Sequence, residues 1–450
     1  MKSLEAAFGP NAALVEELYK QYQQNPDEIP QYWRTYFDEI EGKVSAPAAA
    51  PQPASTPTIA PEEKPAAKTP KPSNGKAPEG AEMKKILGVA AKIAENMDQS
   101  LSIPTATSLR VVPVKMMIED REVINRHQAE KGQYKTTFTH YIAWAIVKAL
   151  KDFPTLNHAY HHDGKNLFRV IPEHVNLGIA IDLEDKKTGN RRLVVPNIKA
   201  VDTMDFSQFL DAFYDLVFRA RDGKLDIPDY EGTTISITNP GMIGTVSSTP
   251  RLMEGQGSII ATGAIDYPAE YQSMSQEVLN HLGISKVMTV TSTYDHRIIQ
   301  GAESGGFLKR IHELLNGADD FYKEIFEDLG IPSQPIPFGK DNYTGFLDGK
   351  SSTMEQNKKT TAVMNLINHY RRRGHILADV NPLDRSPKSS AEFELEQYGL
   401  SMWDLDREFY CGGLGGHDKA TLREIVGLLR ETYCGNIGSE YMHILDHEEL

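Results

Sequence analysis

Only two cysteines, Cys411 and Cys434, occur in 450 residues, and neither has a Cys or His partner at metal-ligand spacing. A disulfide framework is therefore excluded, no metal site is indicated, and a reducing compartment fits. No stretch approaches the roughly 20 consecutive apolar residues of a membrane span, and the start MKSLEAAFGPN lacks the apolar core of a signal peptide. The cytoplasm is the expected location, with no membrane partner. Positive charge is also short: 48 Lys and Arg stand against 62 Asp and Glu, a net −14 that repels phosphate backbones and anionic lipid, so no nucleic-acid partner is expected. The length exceeds what one hydrophobic core usually organises, which predicts two or three domains.

What is present falls into four parts. In residues 1–41, Leu14, Leu18 and Tyr22 at helical spacing, then Trp33, Tyr36, Phe37 and Ile40 after Pro30, predict a short helix pair with an aromatic face. So small a segment cannot bury those rings alone, so it reads as a docking element. Residues 42–81, SAPAAAPQPASTPTIAPEEKPAAKTPKPSNGKAPEG at their centre, are roughly half Pro and Ala without rings or periodicity; they read as an extended linker.

Residues 82–317 alternate helical and strand patterns. Helices are predicted over 115–131, 137–153 and 204–222, with a closing one over 308–315. A hairpin is predicted from VNLGIAIDL and RRLVVPNIK around EDKKTGN, and three β-rich runs from TTISITNP, GSIIATGAI and VMTVTSTYDHR. This is a mixed α/β sheet domain. Residues 318–450 open with a proline-rich passage and continue as a helix over 352–373 with Gly374 as its C-cap. The rest reads as helical around one glycine-rich loop, GGLGG, with no strand before it. The absence of a terminal cap at Leu450 suggests a cut inside a larger domain.

Chemistry concentrates in STYDHRIIQGAESGGFL. A β-branched strand delivers Asp295, His296 and Arg297 at its end, and Gly301 and Ala302 open a helix. A histidine there is placed for acid–base work, since its ordinary pKa near 6.5 lets it take and return protons at neutral pH. Alone, His296 reads as well as a structural histidine, and Thr238 as an ordinary strand threonine. The Asp-His-Arg pattern followed after three residues by Gly resembles the signature of the 2-oxo acid dehydrogenase acyltransferases, which share the chloramphenicol acetyltransferase fold. TSLRVVPVKMMIEDREVINRH, the stretch 134–157, TTISITNPGMIGTVSSTPRLMEGQGSIIATGAI and the DHR segment follow in the family's order. The form DHRIIQGAESG is similar to the subgroup whose acyltransferase-like domain is inserted into a 2-oxoglutarate dehydrogenase first component. The flanks SLEAAFGPNAALVEELYKQYQQNPDEIPQYWRTYF, NLINHYRRRGHILADVNPLD and YGLSMWDLDREFYCGGLGG resemble the N-terminal segment and the start of the main body of that thiamine-dependent component.

That resemblance implies an α/β, chloramphenicol acetyltransferase-like domain at 82–317 between mainly helical flanks. It implies His296 as the base that deprotonates the thiol of CoA or dihydrolipoyl, and Thr238 as the hydroxyl that stabilises the oxyanion. It also implies a site shared between subunits of a trimer, with dimerisation through the decarboxylase part. Gln300 stands where most members carry Asp or Asn, so a structural ion pair there, with Arg110 of TSLR as its other half, would be absent. The thiamine diphosphate signature, Gly-Asp-Gly followed by Asn some 25 to 30 residues on, occurs nowhere in the chain; thiamine diphosphate and Mg belong to the full-length protein. No lipoyl domain is present, so the lipoyl group must come in trans. The implied partners are a lipoyl-bearing acyltransferase and the dihydrolipoamide dehydrogenase of the complex. The expected activity is succinyl transfer between dihydrolipoamide and CoA within the 2-oxoglutarate dehydrogenase complex of the tricarboxylic acid cycle. The alternative is a non-catalytic scaffold that oligomerises and docks the lipoyl partner.

Overall fold

The computed structural model describes residues 89–184, 191–331, 334–341, 351–381 and 390–438, with isolated positions 22, 23, 25, 26, 34, 37, 84 and 85 before them. The expected linker at 42–81, most of the expected docking segment at 1–41 and the EDKKTGN turn beyond Glu184 lie outside the described residues. Two compact units result, Met1–Lys84 and Lys85–Leu450. In the first, Tyr22 and Phe37 are buried with ring centres 5.3 Å apart, two of the rings expected to form an aromatic face.

The second unit opens with helix α1 (Val89–Ser100), strand β1 (Thr105–Pro113), and helices α2 (Lys115–Glu130) and α3 (Phe138–Ala149). Hairpin β2 (Ala159–His162) and β3 (Leu167–Val170) follows, then β4 (Leu177–Ile179), β5 (Ile181–Glu184), β6 (Arg191–Val194), β7 (Asn197–Ile198) and α4 (Phe206–Arg221). Next come β8 (Ile235–Thr238), β9 (Ser258–Thr262), α5 (Gln276–Leu282), β10 (Val287–Asp295), α6 (Gly301–Leu315) and α7 (Phe321–Asp328). The described chain ends with α8 (Ser351–Arg373), β11 (Glu408–Tyr410), β12 (Lys419–Thr421) and α9 (Leu422–Tyr433). Among the described residues no helix is long and apolar enough to cross a membrane.

The central sheet has the order β1-β10-β9-β8-β4-β7. The β9–β8 and β8–β4 pairs are parallel and the others antiparallel, the mixed sheet expected. Helix α3 is buried nearly all round, from His140 to Val147, and α6 lies beside it and against β1. An all-buried helix fits its apolar run YIAWAIV, which has no polar face to offer water.

The hairpin expected from VNLGIAIDL and RRLVVPNIK forms but divides. Its distal half is the separate β5–β6 ribbon, while β4 and β7 join the main sheet. Pro196 marks the division, since it has no N–H to continue a ladder; its carbonyl still accepts from Ile179 N at 2.8 Å.

Several expectations need correction. The 308–315 helix begins earlier, at Gly301. The core does not stop near Gly317: α7 buries Phe321, Tyr322, Ile325 and Phe326, and Asp328 accepts from Phe206 N at 2.9 Å at the start of α4. The segment around GGLGG is not helical, and a short strand does precede the loop. β11 and β12 pair antiparallel across it, with Gly412, Gly413, Gly415 and Gly416 all at positive φ, where side chains are strained. Gly374 does not cap α8 in a left-handed turn; the chain runs on into a 3₁₀ turn, and the glycine admits Tyr433 of α9, whose Cβ would lie 2.6 Å from an added methyl.

Candidate active site

β10 is hydrogen-bonded on both sides, to β1 and β9, and all of its residues from Met288 onward except Thr289 are buried, so its end is a fixed platform. Asp295 N donates to Gly257 O and His296 N to Pro104 O, both at 3.0 Å, and the chain then turns sharply. Ile298 and Ile299 N–H both donate to the Asp295 carbonyl, at 3.2 and 3.0 Å. The two isoleucines are buried and anchor the turn, which leaves His296 exposed.

His296 Nδ1 lies 3.1 Å from the Ile299 carbonyl oxygen. A carbonyl cannot donate, so Nδ1 bears a proton, and in the neutral ring Nε2 is the nitrogen able to accept one. The ring also meets Tyr294 edge-on, centres 5.6 Å apart. Asp295 is buried and takes Arg297 in a fork, Nε at 2.9 Å to Oδ1 and Nη2 at 2.6 Å to Oδ2. These bonds hold the Arg297 guanidinium above its ordinary pKa. Asp295 is thereby committed to Arg297 rather than to the histidine.

Thr238 is the last residue of β8 and half-buried. Asn239 beside it donates to Thr139 Oγ1 at 2.9 Å. Gly241 follows in a 3₁₀ turn, where a side chain would run into the Gly263 carbonyl, so glycine alone permits this approach to the end of β9.

The register fixes the distance between the two expected groups. Thr238 pairs with Ala261, and Ala261 with Thr291. β8 runs antiparallel to β10, so Thr238 and His296 leave opposite ends of the sheet. Two strand spacings and five residues of rise separate them by roughly 19 Å within one chain.

Gln300 precedes α6, its N–H donating to Glu303 Oε2 at 2.7 Å. Arg110 is not its neighbour. It lies opposite Val290 in β1, and its charge acts on His312, whose pKa is lowered first by burial and then by that guanidinium. His312 is about 18 Å along α6 from Gln300.

Sequence reasoning missed the β2–β3 hairpin and what it brings to this turn. Tyr160 lies under the Arg297 guanidinium, 3.7 Å from carbon to ring centre, and Arg169 Nη2 donates to Ile298 O at 2.8 Å. His158 sits nearby with its pKa lowered, by burial first and then by Arg169. The signal was faint, since LFRV is four residues without clean alternation. Among the described residues, no group of three or more His, Cys, Asp or Glu could hold a metal ion.

Residues 78–322 match the family model of 2-oxoacid dehydrogenases acyltransferase (catalytic domain), and residues 5–44 that of the 2-oxoglutarate dehydrogenase N-terminus. The chain is 45% identical to a multifunctional 2-oxoglutarate metabolism enzyme of Mycolicibacterium vanbaalenii, over 98% of this chain and 38% of that protein. It is 50% identical to one of Mycobacterium sp. (strain JLS), over 81% of this chain and 28% of the relative. The chain thus spans about two-fifths or less of the length of these curated relatives. Among solved structures, a probable dihydrolipoamide acetyltransferase from Listeria monocytogenes aligns over 52% of this chain and 94% of that one, at 27% identity and a TM-score of 0.45.

Proposed function

Because the chain belongs to the 2-oxoacid dehydrogenase acyltransferase family, by a catalytic-domain match over more than half of its length, we propose that it transfers succinyl between dihydrolipoamide and CoA, with His296 as base and Thr238 as oxyanion donor. The observation that carries the reading is the 3.1 Å contact from His296 Nδ1 to Ile299 O, which selects the tautomer whose Nε2 is the accepting nitrogen of the neutral ring, on an exposed side chain. A thiol with a pKa near 8.5 is mostly protonated at pH 7, so a placed base contributes on the order of 10² to 10⁴ in rate.

Nε2 takes the thiol proton, and the sulfur attacks the thioester carbonyl. The carbonyl electrons move to oxygen, where the Thr238 hydroxyl donates to the oxyanion. The carbonyl re-forms, the bond to the departing sulfur breaks, and the imidazolium returns its proton to that thiolate. Loss of one oxyanion donor typically costs about 3 to 4 kcal/mol.

The roughly 19 Å between the two groups in one chain supports a site completed by a second copy. Exposed apolar side chains support this at each end of the sheet. Met242 and Ile243 are 83% and 67% exposed beside Thr238, and Leu167 and Ile171 are 70% and 68% exposed beside the His296 turn. Two different patches fit a head-to-tail ring rather than a self-paired face, and a trimer is the ring proposed. The choice of succinyl is supported by the names of the curated relatives, multifunctional 2-oxoglutarate metabolism enzymes, since 2-oxoglutarate yields that acyl group on decarboxylation. In the same reading, residues 1–41 dock, 42–81 tether, the sheet domain that begins at 82 and takes in α7 transfers, and the residues after it begin the decarboxylase body. Thiamine diphosphate and Mg serve the remainder of such a protein. A lipoyl-bearing acyltransferase and dihydrolipoamide dehydrogenase are the partners, in the cytoplasm.

The test is CoA release from succinyl-CoA with free dihydrolipoamide, read by chromatography on the 450-residue chain. His296→Ala is expected to lose a hundredfold or more with assembly intact. No transfer by folded, assembled wild type would instead favour the scaffold role, which Gln300 at the usual Asp or Asn position motivates.

A further inference from the structure

The β2–β3 hairpin contributes little to the core, since Ala159 is the one buried residue among its eight strand positions. Yet Tyr160 and Arg169, directly opposite each other in its register and therefore on one face, reach two successive residues of the His296 turn. The Tyr160 ring carries the Arg297 guanidinium at 3.7 Å, and Arg169 Nη2 donates to the Ile298 carbonyl at 2.8 Å. That carbonyl shares a rigid peptide plane with the N–H of Ile299, which donates to Asp295 O at 3.0 Å. The plane is thus pinned at both ends, and the next carbonyl along, Ile299 O, accepts the His296 ring.

We propose that the cross-strand pair Tyr160–Arg169 is a positioning clamp that fixes the 297–299 turn and thereby the orientation and tautomer of His296. The proposal rests on the reading of His296 as base. Arg169 and Tyr160 are positioning residues, acting on the reacting atoms only through the turn. A ring held through one carbonyl is misaimed when that carbonyl rotates, and small misplacements of a base are costly in rate.

The test uses the 450-residue chain with succinyl-CoA and dihydrolipoamide, together with hydrogen exchange of the 295–301 segment. Arg169→Met is expected to lower kcat about tenfold with KM unchanged and to speed exchange at Ile298 and Ile299, at an unaltered melting temperature. Arg169→Lys, which keeps a donor, recovers most of the loss, and Tyr160→Phe, which keeps the ring face, loses less than Tyr160→Leu. Unchanged kcat in Arg169→Met, a rise confined to KM, or a general loss of protection with a lowered melting temperature would each overturn the clamp. The exchange measurement separates this from failure of the parent reading. If wild type transfers nothing, or His296→Ala transfers as well as wild type, the base assignment falls, while faster exchange confined to the turn still supports the clamp and unchanged exchange overturns it.

Discussion

His140 occupies the first turn of α3 fully buried, its Nδ1 accepting from Thr137 N at 3.0 Å and its ring edge-on to Phe213. Burial pushes its pKa down to about 3, against about 6.5 in an unfolded chain. Between those values the unfolded chain binds a proton that the folded one does not. The stability from keeping this ring neutral is therefore whole above about pH 6.5 and is lost as pH falls towards 3, by up to about 1.4 kcal/mol per pH unit. His140→Asn keeps an acceptor for Thr137 and removes the titration. Denaturant unfolding at pH 7.5 and 5 should show the wild type losing about 2 kcal/mol more than the variant; parallel losses would sink the argument. Gly241→Ala, which must displace the Gly263 carbonyl, should cost about 1 to 3 kcal/mol and lower the melting temperature.

Elements after α7 are fastened to the sheet domain through charge as well as apolar contact. Arg423 of α9 pairs with buried Glu119 of α2 and with Asp406, and Lys115 reaches both of those carboxylates. Behind this seam, buried Asp404 accepts from Lys359 of α8 at 2.6 Å and from Arg407 at 2.8 Å, while Arg407 also reaches Asp341 and the His281 carbonyl. Two cations share one carboxylate with almost no water, so removing the anion takes from both a charge-assisted hydrogen bond in a poorly solvated place. Asp404→Ala should cost roughly 3 to 5 kcal/mol, read by denaturant unfolding. Lys359→Met, which leaves Asp404 its arginine, should cost less. An equal loss in the two variants would show that packing, not charge balance, decides this element.

At the scale of the molecule, the register carries the sharpest consequence. If His296 acts on one copy and Thr238 on another, two inactive variants complement each other. His296→Ala and Thr238→Ala chains, each transferring slowly alone, should regain a substantial fraction of wild-type transfer when co-refolded into mixed assemblies. Mixed assemblies no faster than the parents would place both groups' work inside one chain, against the roughly 19 Å that the strand spacing sets.

The sequence by itself determined the elements whose signal is local and repeated. The apolar run of α3, the β-branched run of β10 and the amphipathic α4 each carry their period within one segment, and the DHR pattern marked the strand end that bears His296. The tertiary structure decided everything that depends on residues distant in the chain. No local pattern shows that α7 belongs to the core, that Arg110 faces His312 rather than Gln300, or that a weakly patterned hairpin reaches over to residues 297 and 298. A one-dimensional period says which face of an element is apolar but not what covers it. The opposite ends from which Thr238 and His296 leave the sheet follow from strand order and direction, which pairing alone fixes.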